Sequence, residues 1–312
     1  MKKHLLSLFL LAFAIACSKD EDPTPSLGSW QQLNDFPGEG RNDGISFSLL
    51  GKGYWGLGNN GSGYVRDMWA YDPATDSWTE KNDFPFDIPA VAAAAVNDKG
   101  YMISYFGTLY EYNPVTDTWK LLSTFPGGYR PGMTGFALGG DLYFGTGNNV
   151  DVNNFQTFKD FWRYDIAENK WTAIADFPGV SRTNAISFIV GDKAYVGLGF
   201  NGIAAPPIYK DMWSYDAKTG DWTQIADLPE NNTIVGILFS NAKKGYVGVY
   251  ESNETHRGIV YEFDPSANVW RKVKMFPSGS SLNTESFFVN NRSFVFGGWW
   301  SETSLQVWEF VP

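Results

Sequence analysis

Large hydrophobic residues recur along this chain on a fixed ruler. Trp, followed six and seven residues later by Phe or Leu and then Pro, occurs six times: Trp30/Phe36-Pro37, Trp78/Phe84-Pro85, Trp119/Phe125-Pro126, Trp171/Phe177-Pro178, Trp222/Leu228-Pro229 and Trp270/Phe276-Pro277. The Trp-to-Trp intervals are 48, 41, 52, 51 and 48 residues, which is the signature of a repeat architecture. Ten residues after each Pro stand Phe47, Ala95, Phe136, Phe188, Phe239 and Phe287, and six or seven further on Tyr54, Tyr101, Tyr143, Tyr195, Tyr246 and Phe294. Aromatic pairs at i and i+2 follow, such as Trp69/Tyr71, Tyr110/Tyr112 and Trp213/Tyr215. That alternation puts both rings on one face of a strand. Between this strand and the next Trp lie Asp76, Asp117, Asn169, Gly220 and Asn268. These residue types tolerate a left-handed backbone, so a hairpin with a positive-φ corner is expected at each copy.

Each period therefore reads as four antiparallel strands, and the chain as all-β. One such sheet cannot bury both faces alone; radial packing against its neighbours does so. The Trp and Tyr positions become the filling between blades, so the 17% aromatic content needs no ligand to explain it. Gly56, Gly145, Gly197 and Gly248, each two residues past the ruler's Tyr, are expected to let the sheets converge near the axis. The chain enters on an outer strand (Ser29 to Phe36) and leaves after a third strand (Val307 to Val311). The last of six blades is thus expected to be closed by the N-terminal strand.

The stretches DMWAYDPATDSW, DMWSYDAKTGDW and GDLYFGTG resemble kelch repeats, and the resemblance covers Leu27 to Pro312. It implies a six-bladed kelch-type β-propeller. It says little about function, because function lives in sites grafted onto a fold. FPGGYRPGMTGFALGGDLYFGTG and KAYVGLG further resemble bacterial N-acetylneuraminate epimerases, which are six-bladed kelch mutarotases.

The N-terminus changes the picture of where the protein sits. Lys2 and Lys3 precede an apolar run of 12 residues, Leu5 to Ala16, too short to span a bilayer and of the length of a signal-peptide core. It ends in Ala14-Ile15-Ala16-Cys17, which resembles the bacterial lipobox and implies lipidation of Cys17. Cys17 is the only cysteine, so no intrachain disulfide can form. Residues 1–17 are read as a lipoprotein signal, 18–26 as a flexible acidic tether and 27–312 as the propeller. The expected location is the bacterial cell envelope, lipid-anchored at the outer membrane, with the periplasmic and the external leaflet both open. Without Lys2 and Lys3 the formal charge moves from −10 to −12, which repels phosphate backbones and argues against a nucleic-acid partner. Contact with the membrane is expected through the lipid alone, and the protein as a monomer.

Chemistry is expected on the face formed by the loops between second and third strands and by the links between blades. Those loops carry Asn59, Asn148, Asn201, Trp299 and Trp300, amides and rings suited to sugar hydroxyls and pyranose faces. Four residues after the repeat Pro come Arg41, Arg130 and Arg182. They could bind a carboxylate in bidentate fashion or brace neighbouring blades. Once His4 leaves with the signal, His256 is the sole imidazole. One His and no spare Cys exclude the copper chemistry of galactose oxidase, which this chain resembles in fold, and Ser-His-Asp and zinc arrangements fail similarly. No metal or other cofactor is expected. The remaining acid–base candidates are the loop carboxylates Asp43, Asp87, Glu230, Glu251 and Glu302, with His256. The first reading is a non-catalytic recognition module for a glycan or partner protein. The alternative is a sugar-isomerising enzyme of the mutarotase kind, using carboxylates and arginine anchors.

Overall fold

The structure is a computed structural model that describes residues 28–151, 153–202, 208–230, 233–251, 259–273, 275–277, 282–299 and 305–312. Within them, 24 strands form six four-stranded antiparallel sheets. In five blades the strands follow chain order from the axis outward, beginning at Ile45, Ala90, Met133, Ile186 and Thr233. The sixth takes Leu282–Val289, Arg292–Trp299 and Val307–Val311 from the end of the chain, and its outer strand, Ser29–Gln32, from the beginning. Ser29 pairs with Val311 and Trp30 with Phe310, so the ring is latched as the sequence predicts.

The core is a set of seams between blades. Trp78, on the outer strand of blade one, lies 5.0 Å from Phe36 and reaches Phe287 and Phe296 of blade six at 6.3 and 6.0 Å. Trp222 of blade four packs in the same way on Phe161 of blade three, and Trp30 of blade six on Phe239 of blade five. The residue before each repeat Pro (Phe36, Phe84, Phe125, Phe177, Leu228 and Phe276) is buried in these seams.

The hairpin corners are left-handed at all five predicted positions: φ is 48° at Asp76, 54° at Asp117, 51° at Asn169, 77° at Gly220 and 54° at Asn268. The side chains there do more than tolerate the turn. Tyr71 Oη donates to Asp76 at 2.8 Å and Tyr112 Oη to Asp117 at 2.7 Å, fixing the ring below the corner. The same carboxylates accept the backbone N–H of Asn34 and Asn82 from the preceding blade, and Asn268 accepts that of Ala226. One short polar residue thus caps its own turn and clips two blades together.

The ruler's glycines are needed for a different reason from the one expected. A Cβ on Gly197 would meet the carbonyl oxygen of Asp211 at 2.2 Å and Met212 at 2.5 Å, and Gly56 faces Asp67 and Met68 likewise. At Gly56, Gly145 and Gly197 the collision is with the third strand of the same blade, and at Gly248 it is with Ile237 of the same blade's innermost strand.

Candidate functional site

The six inner strands surround a central channel of about 1070 Å³. It opens among the links and the second-to-third loops, where Asp43, Gly58, Tyr64, Tyr105, Asn184 and Phe200 form its mouth. The link residues Asp43, Gly132 and Asn184 share left-handed backbones (φ 53°, 63° and 52°), which turn the chain from the mouth into the inner strand. Deeper in, the wall combines small apolar residues with hydroxyls. Those hydroxyls tie adjacent inner strands together: Thr134 donates to Ser187 Oγ at 2.9 Å, Ser187 to Gly135 O at 2.8 Å, Thr284 to Gly236 O at 2.8 Å and Ser286 to Leu238 O at 2.5 Å.

One carboxyl stands on this wall. Glu285 is only partly accessible, and Ser46 Oγ lies 3.0 Å from its Oε2. Burial, with a smaller contribution from the charge of Asp43 and against the bond from Ser46, pushes its carboxyl up to about 8. Asp43 is also held above the usual carboxylate range, by burial at the mouth. No cationic side chain lines the channel among the described residues. Glu285 was absent from the sequence-derived candidates, yet the ruler marks it. Eight residues after each repeat Pro stand Ile45, Ala93, Thr134, Ile186, Ile237 and Glu285. A lone acid on a register that is otherwise uncharged is the signal.

The three arginines sit below the mouth in a repeated brace. Arg41, Arg130 and Arg182 are buried and pair with Asp67, Asp160 and Asp211 respectively. The Arg182 guanidinium is bidentate to Asp211 at 2.8 and 2.9 Å, donates to the carbonyls of Val180 and Leu198, and stacks 4.6 Å from the ring centres of Phe177 and Tyr209. Trp69, Trp162 and Trp213 donate Nε1 to the same three carboxylates at 2.7–2.9 Å. Burial acts to raise these carboxyls, but the guanidinium and indole donors outweigh it, and all three are held below the usual carboxylate range. The bracing geometry weighed from sequence is therefore what the arginines adopt, with each guanidinium paired to an aspartate and Arg130 Nε left as a buried donor without a partner.

The loop amides serve loop structure. Asn59 Oδ1 accepts the Gly61 N–H at 2.7 Å. Asn148 Oδ1 accepts from Thr183 at 2.6 Å, and Asn201 donates to Ser181 at 3.3 Å, so both tie a loop to an adjoining link. Among the other carboxylates, exposed Asp87 pairs with Arg66 at 3.3 Å, whereas Glu230 accepts from Tyr261 and Lys272, which hold it below its ordinary range. Among the predicted acids whose side chains are described, only Asp43 reaches the channel. Cys17, His256, Trp300 and Glu302 lie outside the described residues, as do the side chains of Glu251 and Trp299.

No known family model matches the chain. N-acetylneuraminate epimerase 1 of Escherichia coli O6:H1 is 22% identical over 201 residues, which is 51% of each chain. The N-acetylneuraminate epimerase of Shigella sonnei is 32% identical over 82 residues, 26% of this chain and 22% of its own. A Kelch domain-containing protein of Vibrio cholerae serotype O1 is 29% identical over 109 residues, 34% of this chain and 29% of its own. The match thus spans about half the length of the first of these relatives and less than a third of the others. The solved structure of YjhT superposes with a TM-score of 0.68 at 18% identity, covering 89% of this chain and 96% of that one. Six blades built on one repeat, together with these likenesses, make the chain a kelch-type β-propeller distantly related to the N-acetylneuraminate epimerases.

Proposed function

We propose that this protein is a lipid-anchored recognition module of the bacterial cell envelope, held through Cys17, that binds a glycan at the mouth of its propeller channel. The observation that carries the reading is the channel itself. Its roughly 1070 Å³ is the size of a small-ligand site. Its wall of hydroxyls and small apolar residues, with Tyr64, Tyr105 and Phe200 at the rim, offers the mixture of polar contacts and flat apolar surface that a sugar ring presents in return. The net charge of −10 and the lack of a basic channel wall among the described residues weigh against phosphorylated or nucleic-acid ligands. The test is a glycan array followed by thermal shift with the sugars that bind. A saturable rise in Tm with at least one sugar is expected; a set of glycans with no binder, alongside capture of a protein partner by the same face, would replace the glycan with a protein ligand.

A second reading, sugar isomerisation, is favoured by Glu285, a carboxyl that can exchange a proton near neutral pH inside a ligand-sized channel. Its weak point is the anchor, since Arg41, Arg130 and Arg182 already hold carboxylates of the protein itself. NMR of anomer exchange in N-acetylneuraminate decides it: acceleration that is lost in Glu285→Gln supports it, and an unchanged rate ends it.

A further inference from the structure

Resting on the glycan reading, we propose that the channel selects a sugar carrying a free, protonated amine, an amino sugar whose ammonium group pairs with Glu285. Three observations on the channel wall lead there, and each concerns what the wall lacks.

The first is charge. Glu285 and Asp43 are the only charged side chains lining the channel among the described residues, and both are acids. The ion pairs of the propeller lie elsewhere, and Arg41, Arg130 and Arg182 are each already matched to an aspartate. A buried carboxyl without a countercharge is costly unless it is protonated or paired. A cationic ligand supplies the missing partner; an anionic one meets two acids.

The second is a proton count. Ser46 Oγ stands 3.0 Å from Glu285 Oε2 and 2.8 Å from the carbonyl oxygen of Ser286. A hydroxyl has one proton and cannot donate to both. A proton on Glu285 completes the chain, with the carboxyl O–H donating to Ser46 and Ser46 donating to Ser286. The raised proton affinity of Glu285 agrees with this. When an ammonium docks, the carboxyl gives that proton to solvent and the ion pair takes its place: R–NH3+ plus COOH becomes R–NH3+···−OOC plus H+.

The third is donor scarcity. The wall hydroxyls of Thr134, Ser187, Thr284 and Ser286 spend their protons on neighbouring strands. What they turn to a ligand is lone pairs. A wall of acceptors is matched by a ligand rich in donors. An ammonium offers three donors and no acceptor, and sugar hydroxyls add more. Asp43, from the link before the innermost strand of blade one, is the one other acid on the channel among the described residues, and the phenols of Tyr64 and Tyr105 are its remaining titratable groups.

The experiment is isothermal titration of the whole protein with glucosamine, N-acetylglucosamine, glucose and N-acetylneuraminate, for wild type and Glu285→Gln, at pH 7 in two buffers of different ionisation enthalpy. A charge-assisted bond predicts glucosamine binding about tenfold or more tighter than N-acetylglucosamine, which keeps the ring and loses the charge. The buffer dependence of the heat is expected to show release of a substantial fraction of one proton. Glu285→Gln is expected to abolish both the preference and the proton release, with its circular dichroism unchanged. Equal binding of N-acetylglucosamine or glucose overturns this inference and leaves the glycan reading standing. Tightest binding by N-acetylneuraminate overturns it in favour of an anionic ligand. No binding by any of the four removes the inference together with the reading on which it rests.

Discussion

The Arg182–Asp211 brace makes a sharp prediction because almost nothing around it is solvent. Arg182 is fully buried, with four donor contacts shared among Asp211 and two backbone carbonyls, and its guanidinium stacks on Phe177 and Tyr209. Substituting Ala strands the Asp211 carboxylate, which keeps Trp213 Nε1 at 2.9 Å but loses its countercharge. Breaking one side of a buried pair costs about 3–5 kcal/mol, against a total stability of roughly 5–15 kcal/mol for a typical domain. Arg182→Ala is therefore expected to lower the urea midpoint sharply with little change in m-value. The double variant Arg182→Met/Asp211→Leu, which removes both charges, is expected to recover most of the loss. The pH dependence has a definite sign. Asp211 is held below its ordinary 3.8, so the native state binds fewer protons than the unfolded one just below that value. The pair's stabilisation is present above about pH 4 and disappears as pH falls through the native value. A loss below about 1 kcal/mol for Arg182→Ala at pH 7, or a loss that does not shrink toward pH 3, would refute the argument.

Three further outcomes follow from other parts of the ring. Glu285 binds its proton more tightly folded than unfolded, so wild-type stability is expected to fall as pH rises from 4.5 to about 8; Glu285→Gln is expected to flatten that slope in urea titrations at pH 5 and 8.5, by at most about 5 kcal/mol. Gly197→Ala drives a methyl into the Asp211 carbonyl at 2.2 Å and is expected to cost about 1–3 kcal/mol, whereas Gly63→Ala, with nothing within 4 Å, is expected to be near neutral in the same calorimetric comparison. Cys17→Ser is expected to abolish incorporation of labelled palmitate and release the protein from the membrane pellet; unchanged labelling would place any acyl group elsewhere.

How much was legible in the sequence depended on whether a residue's role repeats. The Trp-x5-Phe-Pro ruler and the Asp/Asn/Gly corners occur at every blade, and a constraint written five or six times stands out from chance; blade number, strand order and the left-handed corners were all readable. The arginine brace was half readable. Arg41, Arg130 and Arg182 are visible on the ruler, and their partners Asp67, Asp160 and Asp211 stand two residues before a Trp in those same three blades. Blade two, with Pro89 in place of the arginine, has Thr108 two before Tyr110 instead of such an acid. Co-occurrence within a repeat is a contact signal, and here it pairs each guanidinium with an aspartate. Glu285 was hidden for the opposite reason. It interrupts the ruler once, inside a strand rather than in a loop, where exposed chemistry usually sits. In a ring whose inner strands border an open axis, the wall of a strand is itself a functional surface.

The latch between Ser29–Gln32 and Val307–Val311 also sets a rule for how this chain can be made. Its first strand, Ser29–Gln32, finds its hydrogen-bonding partner only after five whole blades have been synthesised. Until then blade one, too, lacks the rings of Phe287, Phe294 and Phe296 against which Tyr71 and Trp78 pack. A chain cut short after five blades presents an unpaired β-edge at one end and a wet aromatic seam at the other, the pairing that drives aggregation. Ring closure thus acts as a check that every blade is present, with a stable fold reserved for chains that carry all six.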